Sequence, residues 1–286
     1  MNLIDLLFTP LQYSFMVRGI TAAVLTGIVC AVVGVYVVIR GMAFFGDALA
    51  HSILPGVAVG YLVTGGAREP LFWWGTGTAV IVSLAIGAIS KGAKIKQDTA
   101  IGIIFAGMFA LGIAIISTMK SYTVDLTHFL FGDVLGISGN QLTIIAIFSV
   151  LIILLVVAFY KEFLVLTFDP ILATTLRIPV RFFEYLQLVL IALAISVSFQ
   201  AVGVALMVAM LVTPAAAAYL LTKRLPIMMI LAATIASLSG VAGLYLSYYI
   251  NVASGPAIVL VATLIFVIAW VIKSLRRKRT PSAHLA

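Results

Sequence analysis

A carboxylate and an imidazole stand four residues apart in Gly46-Asp47-Ala48-Leu49-Ala50-His51-Ser52-Ile53-Leu54-Pro55-Gly56, between two long apolar stretches. Positions i and i+4 share one helix face, so Asp47 and His51 can address a single ligand. Oxygen with imidazole nitrogen suits a divalent transition metal, and ionisable groups inside a bilayer are costly enough to point to function. A plainer reading stands beside this one: Asp47 caps the helix after Gly46, and His51 bonds a neighbouring carbonyl. Pro55 removes a backbone donor and perturbs the helix just beyond the pair. On an unbroken helix Gly56 falls about 180° from Asp47, a packing face opposite a polar one. One Asp and one His are too few for a divalent ion, which usually takes at least about four donors. A second copy related by a two-fold axis would bring two carboxylates and two imidazoles around one ion and offset its charge.

Two further clusters invite a role. Asp125, His128 and Asp133 fall in the hydrophilic stretch Lys120 to Asn140. A charged, aromatic loop of that kind serves more often as an interfacial anchor or docking surface than as a metal site, with His128 and Asp133 the candidate ligands. The stretch Phe168 to Pro179 reads as a short helix with Asp169 near its start, Pro170 in its first turn and Pro179 as a stop. It serves either as an interfacial linker or as a helix that fits a groove on a soluble partner. His284 lies in a polar tail and carries no reading.

The elements that must position these residues are membrane spans. The chain has 286 residues, 64% of them hydrophobic and only 9% charged, with mean hydropathy +1.26. Apolar segments fall near 17–39, 43–64, 71–90, 99–119, 140–160, 182–202, 203–222, 226–249 and 255–272, each close to the roughly 20 residues that cross a hydrocarbon core. The expectation is an all-α polytopic bundle of eight or nine transmembrane helices, a single domain over residues 1–286 with no room for a soluble one. The tight break at Gln200 to Gly203, and residues 40–46, which either turn or re-enter, decide the count. Residues 1–16 read as a retained amphipathic lead-in helix, because Met1 to Phe15 lacks a basic n-region and a cleavage site. Residues 273–286 read as a basic cytoplasmic tail.

Nine spans with a cytoplasmic C-terminus leave only Arg18, Arg68 and Lys120 of the 17 basic residues outside, a strong positive-inside signal that puts the N-terminus on the outer face. Topology therefore explains the net charge of +8 better than nucleic acid does. The lone Cys30 lies within a span and supports neither a disulfide framework nor a thiolate site. Small residues such as Gly102, Ala106, Gly107, Ala110 and Gly112, or Ala215 to Ala218, let helices approach closely. No internal repeat stands out, so an inverted-repeat carrier gains no support.

The run Arg40 to Gly56, Arg-Gly-Met-Ala-Phe-Phe-Gly-Asp-Ala-Leu-Ala-His-Ser-Ile-Leu-Pro-Gly, resembles the signature of permeases of the zinc- and manganese-type ABC metal importers, the ABC-3 family. Asp98 to Gly102, His128 to Gly132 and Met207 to Ala215 add matches, and the resemblance spans approximately Arg18 to Ile272. It implies a type II ABC importer-like permease in which Asp47 and His51 of both copies of a homodimer coordinate the transported Mn2+ or Zn2+, with no permanently bound cofactor. It further implies a coupling segment over 165–181, with Asp169, Pro170, Ala173, Arg177 and Pro179 seated on a cytosolic ABC ATPase dimer. Family coupling segments often carry Gly where Arg177 stands. A separate extracellular or periplasmic metal-binding protein would dock on the outer loops of this prokaryotic cell-membrane protein.

No Gly-x-x-x-x-Gly-Lys-Ser/Thr loop occurs, so ATP hydrolysis by that chemistry belongs to a partner. An ATPase-independent metal channel or a proton-coupled carrier uses the same two residues, since His titrates near neutrality. A membrane metalloenzyme has little support, because His-Glu-x-x-His is absent and no third ligand lies within a turn of the pair. The donors do not choose between manganese, zinc and iron.

Overall fold

The computed structural model describes residues 8–65, 68–119 and 134–278. After a 3-10 turn at Pro10–Gln12 the chain forms α1 (Ser14–Ile39), α2 (Phe45–Ser52), α3 (Leu54–Thr64), α4 (Arg68–Gly92), α5 (Gln97–Ser117), α6 (Gly139–Ala158), α7 (Tyr160–Phe168), α8 (Pro170–Thr175), α9 (Val180–Leu221), α10 (Leu225–Ile250) and α11 (Ser254–Lys278). No strand occurs among the described residues. Helix is forced, because lipid offers no partner for backbone N–H and C=O groups and each span must satisfy its own.

Nine stretches of the described residues are long and apolar enough to cross a membrane, the higher of the two expected counts. The decisive place is α9. Its 42 residues would reach about 63 Å as one rod, roughly twice the hydrocarbon core. Gly203 interrupts it at φ 75°, ψ 172°, a conformation open essentially to glycine alone, close to residue 200, where the spans Val180–Phe199 and Ala201–Leu221 divide. In the other doubtful stretch, residues 40–46, Arg40 to Phe44 form a turn through Gly41 at φ 70°, and Phe45 and Gly46 open α2.

The core lies where α1, α9, α10 and α11 pack together. A Cβ on Gly27 would stand 3.4 Å from the Ala236 Cβ, and one on Gly240 would stand 3.3 Å from the Ala23 Cβ. These paired positions make α1 and α10 antiparallel along a small-residue seam, with dispersion contacts in place of a hydrophobic drive. Buried residues make up 72% of the α1 span window but 17% of the α5 window, so α5 stands at the periphery with α6.

Three boundaries differ from expectation. The lead-in ends early: residues 1–7 lie outside the described residues, and α1 already begins at Ser14, since the apolar Phe15, Met16 and Val17 continue the span pattern. The basic tail begins late: Lys273 and Arg276 extend α11, where cations suit a helix C-terminus, and residues 279–286 lie outside the described residues. Helix α7 was not expected. It forms because Phe163 and Leu166 find a buried seat, with the Phe163 ring 5.8 Å from Tyr36, 6.5 Å from Phe159 and 5.9 Å from Phe183.

Candidate metal centre

Helix α2 carries Asp47 in its first turn and His51 in its last, with His51 Nε2 3.7 Å from Asp47 Oδ1. The capping alternative fails, since the N-cap is Phe44 and no side-chain cap bond forms. Both side chains stay partly open, His51 at 28% and Asp47 at 39% exposure. Helix α2 stops because Pro55 has no N–H to give the His51 carbonyl; the Ile53 N–H bonds the Leu49 carbonyl at 3.2 Å, and α3 restarts at Leu54. Ile53 keeps helical φ −77° and ψ −12°, so α2 and α3 run on as one span, Phe45–Thr64. Gly46 abuts α9, where a Cβ would come within 2.7 Å of Leu211 Cδ2, and Gly56 abuts α4, where a Cβ would collide with Thr78 and stand 2.9 Å from the Trp74 carbonyl.

The imidazole rests on an aromatic wall. Its ring centroid lies 5.6 Å from Phe109 and 6.1 Å from Phe105, both edge-on, and Phe105 and Phe109 stack at 5.7 Å. Phe44 closes the wall edge-on to Phe105 at 5.7 Å. Phe105 and Phe109 stand about 12 and 18 Å along α5 at 1.5 Å per residue, so His51 lies level with the middle of that span. Beside the wall, Ala106, Gly107, Ala110 and Ala114 of α5 are exposed, and a Cβ on Gly102 or Gly107 would meet nothing within 4 Å. The same helix exposes Ile103, Leu111 and Ile113, so its open surface mixes small and aliphatic side chains. Among the described residues no cluster of three or more His, Cys, Asp or Glu gathers, so one described chain brings two donors.

These phenylalanines were missed in the sequence. The available signal was their i, i+4 spacing on an otherwise small-residue span. Arg40, at the end of α1, is half-buried, and burial pushes its guanidinium down to about 10, which leaves it charged at neutral pH.

The stretch 165–181 comprises the end of α7, all of α8 and a turn into α9. Asp169 Oδ1 accepts from the Ile171 N–H at 3.1 Å and the Leu172 N–H at 2.9 Å, while Pro170 fills the first position, where no N–H is needed. Ala173 is buried, and its carbonyl accepts from the Ile178 N–H at 3.1 Å. Arg177 turns the chain at φ 56°, and Pro179 is the N-cap of α9. Phe168, Ile171, Leu172 and Leu176 stand exposed on this knob. Asp125, His128 and Asp133 lie outside the described residues.

The sequence profile of the ABC 3 transport family matches residues 12–273. The manganese transport system membrane protein MntC of Halalkalibacterium halodurans is 45% identical over 260 residues, 91% of this chain and 88% of that protein. The chelated iron transport system membrane protein YfeD of Yersinia pestis is 36% identical over 286 residues, 98% of this chain and 94% of that protein. A chain of the solved structure of PsaBC from Streptococcus pneumoniae in complex with Fab superposes with a TM-score of 0.79 at 36% identity, covering 94% of this chain and 95% of that one. With nine candidate spans among its described residues and a profile match over nearly its whole length, the chain belongs to the ABC 3 transport family.

Proposed function

We propose that this chain is the membrane permease subunit of an ABC importer for a divalent transition metal ion, manganese first. The observation that carries the reading is the partly exposed Asp47–His51 pair on one face of α2, level with the middle of α5. Two copies meeting on that face supply two carboxylates and two imidazoles. Mixed oxygen and nitrogen donors hold manganese, zinc or iron, and relatives named for manganese transport put manganese ahead. Few protein ligands keep binding weak enough for release.

The exposed knob around α8 seats on a cytosolic ATPase dimer, which does the hydrolysis. The seam aligns the Arg40 end of α1 with the Arg224 end of α10, and Lys91 of α4 pairs with Glu184 of α9. This basic end is the cytoplasmic one. The C-terminus is then cytoplasmic, the N-terminus lies outside, and a metal-binding protein delivers cargo to the outer face.

Asp47→Asn keeps the size of the side chain and removes the charge. Metal uptake by cells carrying this variant falls to background at unchanged membrane abundance; uptake at the wild-type rate refutes the pore role. Metal transport by the purified chain in liposomes without ATPase or nucleotide would favour a channel or carrier instead.

A further inference from the structure

A continuous line of close contacts joins the coupling segment to the metal pair. Val180 opens α9 directly after Pro179, and one turn later Glu184 pairs with Lys91 at the end of α4. The Lys91 ammonium also lies 5.4 Å from the centre of the Tyr185 ring. One turn back on α4, Gly87 leaves a notch in which a Cβ would stand 2.8 Å from Leu188 and 2.9 Å from Tyr185. Gly87 with Lys91, and Glu184 with Leu188, are i, i+4 pairs, so a single face of each helix makes the whole contact.

Helix α4 then runs 25 residues without interruption, a rod of about 37 Å. Its earlier turns grip α3: Trp74 and Thr78 fill the space over Gly56 and Gly60, and a Cβ on Gly75 would stand 3.3 Å from Val57 Cγ2. Through the break at Ile53, α3 continues into α2 with Asp47 and His51. Packed helices of this kind move as bodies rather than deform.

We propose that the Lys91–Glu184 pair, seated beside the Gly87 notch, is the latch through which movement of the coupling segment reaches the Asp47–His51 pair. Lys91 and Glu184 touch no metal and are positioning residues. The pair is partly exposed, at 39% and 26%, so it can be exchanged without opening the core. The inference rests on the importer reading above.

The permease, its ATPase and the metal-binding protein that delivers its cargo are assembled on liposomes, and manganese uptake and ATP hydrolysis are read in the same vesicles for wild type, K91E, E184K and the double swap. Each single variant lowers the ratio of metal imported to ATP hydrolysed about tenfold, with ATP hydrolysis and thermal stability near wild type. The double swap restores the ratio to within about threefold of wild type. A wild-type ratio in the single variants, or a double swap no better than they are, overturns the latch. Should charge reversal prevent folding, K91Q and E184Q are read the same way: a lowered ratio supports the latch and an unchanged one overturns it. Wild-type vesicles that import no metal overturn the importer reading, and the latch with it.

Discussion

Replacing Asp169 by Ala tests how the proposed coupling segment is held in shape. Two backbone N–H groups, those of Ile171 and Leu172, donate to one Asp169 carboxylate oxygen at 3.1 and 2.9 Å, and Pro170 contributes no N–H of its own. The side chain therefore satisfies both donors of the first turn that lie within its reach. Losing such a cap costs about 1 kcal/mol, which at RT near 0.59 kcal/mol raises the local opening equilibrium about fivefold. Asp169→Asn keeps an acceptor and removes the charge, so it loses only the helix-dipole attraction, about 0.3–1 kcal/mol at an exposed site. Hydrogen exchange, followed by mass spectrometry on peptides across 169–176, reads the two amides directly. Exchange of the Ile171 and Leu172 amides quickens about fivefold in Asp169→Ala and by a smaller factor in Asp169→Asn. Equal exchange in wild type and Asp169→Ala, or no protection of these amides in wild type, refutes the capping argument.

Gly56→Val drives a side chain into Thr78 and the Trp74 carbonyl, an overpacking that costs about 1–3 kcal/mol; the thermal midpoint of the purified protein falls, and an unchanged midpoint would mean α3 and α4 are not in contact there. Arg177 adopts φ 56°, so Arg177→Gly removes a left-handed strain of about 1–2 kcal/mol against a glycine entropy cost of about 0.4–1 kcal/mol. It leaves stability near or slightly above wild type, while the β-branched Arg177→Val lowers it. The reverse order in thermal unfolding would rule out the left-handed turn.

The spans were legible because lipid leaves the backbone one solution, so an apolar run of the right length reads as a helix. Both breaks were legible for local reasons. Pro55 lacks a donor, and Gly203 is the residue that tolerates its φ and ψ. The capped helix at Asp169 and Pro170 was also written locally. What sequence alone hid is contact between distant stretches. Nothing local in Phe163 announces that it meets Tyr36 and Phe183 and so stabilises α7, and nothing in Phe105 and Phe109 announces that they flank His51. The left-handed turn at Arg177 was equally hidden, because Arg gives no sign of it. The resemblance, with Gly often at that position, held the only hint.

In the importer proposed above, the depth of His51, level with the middle of α5, has an electrical consequence. An ion that travels from the outer face to the pair crosses about half of the bilayer's field. For two charges at 100 mV, negative inside, that is roughly 2.3 kcal/mol in favour of arrival, and the remaining half favours departure inward by the same amount. In that importer the membrane potential draws cargo both onto the pair and off it in one direction. The work left for ATP is to change which side the pair faces and to oppose the concentration gradient of the metal.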